Sequence, residues 1–220
     1  MIYLIDNSNK EYHQHNLNEM FKLRFKVFGQ TLKWDVKDKN GLEIDDYDHE
    51  HTNYLVYKDS LGRIKGCLRF IEMIYPCMFD GPFQFSLKNL NDFKRKNYWE
   101  LSRLAIDLDI DENYTNEEMK LVGIKLLQAY MLFGLELQKI ECTLTIGYPH
   151  VIQFYKEQGL IFESLNKICL NEQTNEIIEV AAFPTLNYCY DQYAVKSQQL
   201  SKSNVFWYMC PVSKENNSLI

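Results

Sequence analysis

Glu100 and Arg103 stand three positions apart inside "YWELSRLAID" (98–107), a run whose apolar residues otherwise read as a buried strand. A carboxylate in such a place can take a proton from a substrate or hold a cation, and a guanidinium can grip a carboxylate or phosphate at two points. In a regular strand the side chains alternate, which gives Glu100 the same face as Ser102, Leu104 and Ile106, and Arg103 the same face as Trp99, Leu101 and Ala105. A β-bulge would shift that phase and bring the two charges together, and bulges are frequent beside active sites. Without one, the pair reduces to two satisfied ions at the ends of a sheet layer.

Two further arginines sit in apolar settings. Leu17, Met20, Phe21, Phe25 and Phe28 recur at helical spacing, so residues 16–29 are expected to form an amphipathic helix, and Arg24 falls inside its apolar arc. An unpaired buried charge is very costly, so Arg24 must be paired or look into a cleft. Arg69, in "CLRFIE", shares its strand face with Cys67 and Ile71; a water-facing edge position is the plainer alternative. Against these stand Glu43, Asp45, Asp46 and Asp48 in the polar segment 30–52, which shows no periodicity and reads as a long loop with Trp34 upstream. "DDYDHEH" lacks the glycine turn and terminal glutamate of a calcium loop, so no metal is expected there. Ion-pair networks, or a substrate of mixed charge, fit this loop better.

The elements that must hold these residues follow in order. Strands are expected at 53–59 and 63–72, joined by "DSLGR", and at 98–107. "TNEE" (115–118) has a capping-box pattern and opens a helix to about Leu137; "IECTLTIG" (140–147) is the next strand. This strand–helix–strand unit should make 98–107 and 140–147 parallel neighbours. "PHVIQFYKEQG" starts on Pro149 and ends on Gly159, as a short helix would, and strands at 161–170 and 176–184 complete the sheet. The order is similar to the GNAT-like N-acyltransferase fold, an α/β (α+β) mixed twisted sheet with helices on both faces, here as a single domain over 1–220. In that fold the acyl carrier's pantetheine arm lies where two parallel strands splay.

Bulk properties narrow the function. A net charge of −6 and a pI near 5.4 argue against a nucleic-acid partner. The polar first ten residues lack a secretory apolar core, and no apolar run approaches the roughly 20 residues of a membrane span. Six scattered cysteines without CxxC spacing suggest reduced thiols and a cytoplasmic location.

Taken together, Arg24-x-x-x-Phe28, Trp34, Asp45-x-x-Asp48, Arg69 in "GCLRF", and Glu100 and Arg103 in "ELSR" resemble the LuxI-type acyl-homoserine-lactone synthases in order and spacing, over roughly residues 20–107. The resemblance implies an enzyme that joins S-adenosylmethionine, a substrate and not a cofactor, to the acyl chain of an acylated acyl carrier protein, releasing 5′-methylthioadenosine. Phe28 and Trp34 would border the S-adenosylmethionine pocket, and Arg24, Asp45, Asp48, Arg69 and Arg103 would order the loop around it. Ser102 joins the candidate substrate-binding residues. Glu100 is the candidate base for the substrate ammonium, and a backbone N–H at a bulge could hold the oxyanion. Thr143 or Thr145 would touch the acyl chain; as ordinary β-formers, both also have a purely structural reading. Phe83 and Phe85 are candidates for the pocket wall, and "FKRKN" (93–97) and Lys156 for steering the acidic carrier protein.

Two rivals stand beside this reading. A GNAT acetyltransferase using acetyl-CoA would need a glycine-rich pyrophosphate loop before the crossover helix, where this chain has the acidic "DLDIDENYT". The other is a non-catalytic ligand-binding protein on the same fold.

Overall fold

The apolar residues spaced along 17–28 do form a helix, α1 (Gln14–Arg24), which runs on into a wider π-helical turn over Phe25–Thr31. Its buried side carries Leu17, Met20, Phe21, Leu23 and Arg24, and the wider turn adds Val27 and Phe28. The computed structural model describes residues 1–107, 116–157, 160–171 and 176–184.

Among the described residues seven strands make one sheet: β1 (Ile2–Ile5), β2 (Asn53–Lys58), β3 (Ile64–Glu72), β4 (Tyr98–Ile106), β5 (Cys142–Gly147), β6 (Glu163–Asn171) and β7 (Glu176–Pro184). Their spatial order is β1-β2-β3-β4-β5-β7-β6. Among the described strands only β4 and β5 run parallel; every other neighbouring pair is antiparallel. The crossover between the parallel pair contains α2 (Asn116–Leu132), and α3 (Pro149–Glu157) follows β5. Strand β1 was not anticipated. Four residues with the burial pattern of an edge carry too little alternation to be seen without their partner β2. The capping threonine at 115, the "DLDIDENYT" loop beyond Asp107 and the glycine at 159 lie outside the described residues.

The sheet separates two cores. Leu68, Phe70, Trp99 and Leu101 face α2 and α3, packing against Leu126, Leu127, Tyr130, Phe133 and Ile152. Gly66 permits that approach, because a Cβ there would lie 2.5 Å from Val122 Cγ1. The opposite face carries α1 over Tyr54, Val56, Cys67 and Ala105. Beside it, residues 73–97 fold as short helical turns over Ile71 and Leu144.

Two features of β4 prepare the site. Arg69 pairs with Ser102 and Cys67 with Ala105, so Arg103 and Leu104 together oppose Leu68: β4 is bulged there. Arg103 sits at the bulge with φ +52°, a left-handed conformation that costs a non-glycine residue energy and that collects at functional sites. The regular alternation expected for this strand is therefore corrected. Up to Ser102 it holds, but beyond the bulge Leu104 and Ile106 pack on the α2 side, while Ala105 joins the α1 side. The second feature is the β4–β5 ladder, which runs only from Tyr98–Cys142 to Leu101–Thr145. Past that rung the described strands no longer pair, so the sheet parts between Ser102–Ile106 and the end of β5.

Candidate active site

Arg24, Arg69 and Arg103 converge on Glu43, Asp45 and Asp48 beneath α1. Arg24 is fully buried. Its Nε bonds Glu43 Oε2, and its two terminal nitrogens grip both oxygens of Asp48 at 2.8 and 2.9 Å. Arg69, also buried, reaches Asp45 Oδ1 at 2.5 Å and Asp48 Oδ1 at 3.3 Å, and donates through Nε to Ser102 Oγ at 3.1 Å. Arg103 bonds Glu43 Oε1 at 3.1 Å and Asp45 Oδ2 at 2.9 Å, with its guanidinium 5.3 Å from the centre of the Phe28 ring. Three cations thus face three anions, and planar forks make the two-point contacts that lysines could not.

Local structure fixes the acids as firmly. The Glu43 amide donates to the Phe21 carbonyl of α1 at 3.1 Å, which ties the loop to the helix. Asp48 accepts from the Asp45 amide at 2.8 Å and from the Tyr54 hydroxyl at 2.9 Å. Burial by itself would raise the Asp48 carboxyl. The Arg24 and Arg69 charges and these hydrogen bonds outweigh it and hold Asp48 well below the usual carboxylate range. Burial and the Asp48 charge together push the Tyr54 phenol upward. Glu43 belongs to the acidic segment 30–52, but its place in the sequence does not by itself mark it as a site residue. It is wholly buried and bridges Arg24 to Arg103. The apolar neighbours Leu42 and Ile44, both packed on the α1 core, were the available signal.

Glu100 lies on the same face of β4 and is 1% exposed. Its Oε2 accepts from the Met78 amide at 2.7 Å, while its Oε1, though buried, has no hydrogen-bond partner among the described residues. The short helical turn Met78–Asp80 that offers this amide is held by Asp80, which accepts from the Cys77 amide at 2.8 Å and bonds Lys94. Met78 also touches Arg103, with Nη1 3.5 Å from Sδ. The bulge therefore does bring Glu100 and Arg103 to one side of the sheet. One nitrogen of Arg69, Nη2, is likewise buried without a partner.

Phe28 and Trp34 stack with ring centres 5.0 Å apart and planes 14° from parallel. Phe28 is buried and Trp34 partly exposed, so the pair forms an aromatic wall beside the ion network. The two threonines lie elsewhere. Thr143 pairs with Trp99 and Thr145 with Leu101, so both occupy the α2 face, opposite Glu100. Thr143 shares a 2.7 Å hydrogen bond with the Tyr130 hydroxyl, and both threonines are buried. Phe83 packs into the core beside Met73 and Phe79, whereas Phe85 is 61% exposed. In the basic segment Lys94 is committed to Asp80, and Arg95 lies 5.8 Å from the Tyr98 ring centre; Lys156 stands 3.8 Å from buried Glu179. No group of His, Cys, Asp and Glu among the described residues could hold a metal ion, and no described helix is long and apolar enough to cross a membrane.

A sheet whose described parallel strands, β4 and β5, part after four rungs, with a bulge and a buried carboxylate beside the split, defines the class: a GNAT-like N-acyltransferase fold. Solved structures agree. The CoA-dependent acyl-homoserine lactone synthase BjaI, with SAM and isopentyl-CoA, superposes with a TM-score of 0.74 at 22% identity, over 90% of this chain and 89% of that one. An N-acetyltransferase from Lactobacillus plantarum, described as putative, superposes at 0.54 and 13% identity, over 84% of this chain and 99% of its own. The family follows from sequence: the autoinducer synthase family model matches residues 7–185, and the chain belongs to that family. Among curated relatives, the acyl-homoserine-lactone synthase of Dickeya dadantii is 40% identical over 109 residues, 50% of each chain. That of Aeromonas salmonicida is 30% identical over 148 residues, 67% of this chain and 70% of its own. The matches to the Dickeya dadantii and Vibrio anguillarum enzymes span about half of those proteins' lengths, 50% and 47%.

Proposed function

We propose that this protein makes an N-acyl-homoserine lactone from S-adenosylmethionine and the acyl thioester of an acyl carrier protein. The observation that carries the reading is the pairing of a charge-balanced arginine–carboxylate network with one buried, under-coordinated carboxylate, Glu100, beside an aromatic wall. S-adenosylmethionine bears a sulfonium, an ammonium and a carboxylate, so acids, arginines and aromatic faces match it in sign. In this reading Phe28 and Trp34 border the pocket, Arg24, Asp45, Asp48, Arg69 and Arg103 order it, and Ser102 supports it through Arg69.

The chemistry runs in two steps. Glu100 Oε1 takes a proton from the substrate ammonium, directly or through water. The freed amine attacks the thioester carbonyl, an N–C bond forms, and the carrier thiol leaves with a proton. A backbone N–H at the β4 bulge is the proposed donor to the oxyanion. The methionyl carboxylate then attacks the carbon next to the sulfonium, closing the lactone as the C–S bond breaks and 5′-methylthioadenosine departs. The acyl chain passes where the β4–β5 ladder stops, toward the α2 face that holds Thr143 and Thr145. Supporting a cytoplasmic reaction, Cys67, Cys77, Cys142 and Cys169 are free thiols.

The test is incubation with S-adenosylmethionine and matched panels of acyl carrier protein and CoA thioesters, read by mass spectrometry. Methylthioadenosine and lactone are expected, with carrier-protein substrates preferred. Turnover of CoA thioesters alone would overturn the donor assignment, and absence of both products from every donor would overturn the function.

A further inference from the structure

Trp34 does not rest on Phe28 alone. Its Nε1 donates to the Tyr148 hydroxyl at 3.1 Å, and that hydroxyl donates to Glu176 Oε1 at 2.7 Å. Tyr148 directly follows β5, Glu176 opens β7, and the Tyr148 ring stacks on His150 with planes 10° apart. The chain of contacts therefore links the β4 bulge to the end of β5, across the point where the two strands cease to pair. On the β4 side Arg103 packs on Phe28 and Phe28 on Trp34; on the β5 side stand Tyr148 and its acceptor. Burial and the Glu176 hydrogen bond raise the Tyr148 phenol above its ordinary value, so the hydroxyl keeps the proton it donates. Donating to a carboxylate also strengthens that oxygen as an acceptor for the indole.

We propose that Tyr148 is a positioning residue that, backed by Glu176, fixes the Trp34 indole as the wall of the S-adenosylmethionine pocket. This rests on the reading that Trp34 borders that pocket. Tyr148 lies outside the residues that the family resemblance assigns, and its partner in the loop is 114 positions away. A hydrogen bond that holds a binding surface in place acts on affinity for the ligand touching that surface, not on the chemical step.

The test is steady-state kinetics on Tyr148→Phe, Trp34→Phe, the double variant and Glu176→Gln, each confirmed folded by thermal melting. Tyr148→Phe keeps the ring and removes both hydrogen bonds. It should raise KM for S-adenosylmethionine about fivefold, the weight of one ordinary hydrogen bond, with kcat and KM for the acyl donor nearly unchanged. In the Trp34→Phe background, which has no indole N–H, the same substitution should add nothing. Glu176→Gln retains an acceptor carbonyl but removes the charge, and should raise KM for S-adenosylmethionine by less than Tyr148→Phe does. An unmoved KM for S-adenosylmethionine, an equal effect in both backgrounds, or an effect confined to the acyl donor would overturn the role of Tyr148 alone. Failure of the wild-type protein to turn over S-adenosylmethionine would remove the functional reading and this inference with it.

Discussion

Two sets of carboxylates lie within one layer beneath α1, and they are treated oppositely. Glu43, Asp45 and Asp48 each bond at least two arginines or an arginine and several other donors, so their charges are spent on holding the loop. Glu100 has a single backbone donor, and one of its buried oxygens has no partner among the described residues. A saturated carboxylate organises; an unsaturated buried one retains the capacity to accept a proton. On the proposed function, the contrast sets the frame of the site apart from Glu100, its proposed base.

The frame breaks most severely at Asp48. Asp48→Ala strips Arg24 of its two-point partner and leaves three arginines facing two acids in a buried network, which should lower stability by about 3–5 kcal/mol in chemical denaturation. A loss below about 1 kcal/mol would show that water or neighbouring acids replace it. Ser102→Ala is the milder test. It leaves a second nitrogen of Arg69 without a partner and should cost about 1–3 kcal/mol. The smallest expected effect is on pH dependence. Because the folded-state pKa of Asp48 lies below its unfolded value near 3.9, its contribution is complete above that value. The contribution is lost as pH falls further, at no more than about 1.4 kcal/mol per pH unit. Denaturation midpoints measured between neutral and acid pH should show this limb in wild type and a shallower one in Asp48→Asn.

How much of this was legible in the sequence depends on whether the signal is local. Arg24 stood out because a charge inside a helical apolar arc has to be paired, and it is. Strands β2 to β5 and the parallel β4–β5 pair follow from alternation and from the crossover length. What stayed hidden depends on register. Whether Glu100 and Arg103 cooperate turns on one extra residue opposite Leu68, which no alternation pattern reveals. The face taken by Thr143 and Thr145 is set by pairing with Trp99 and Leu101. Glu43 needed the loop's path over Phe21, and Tyr148 needed a contact between a loop and the exit of a distant strand.

The distinction between frame and reactive centre is tested most directly at Glu100. Glu100→Gln keeps an acceptor for the Met78 amide and the volume of the side chain, and it removes only the ability to take a proton. Turnover and S-adenosylmethionine affinity should be measured on one preparation of this variant, by methylthioadenosine release and calorimetry. The account expects kcat to fall by about 10²–10⁴-fold, the usual weight of a general base, with binding retained. Unimpaired turnover, or loss of binding in step with activity, would contradict it and return Glu100 to the frame.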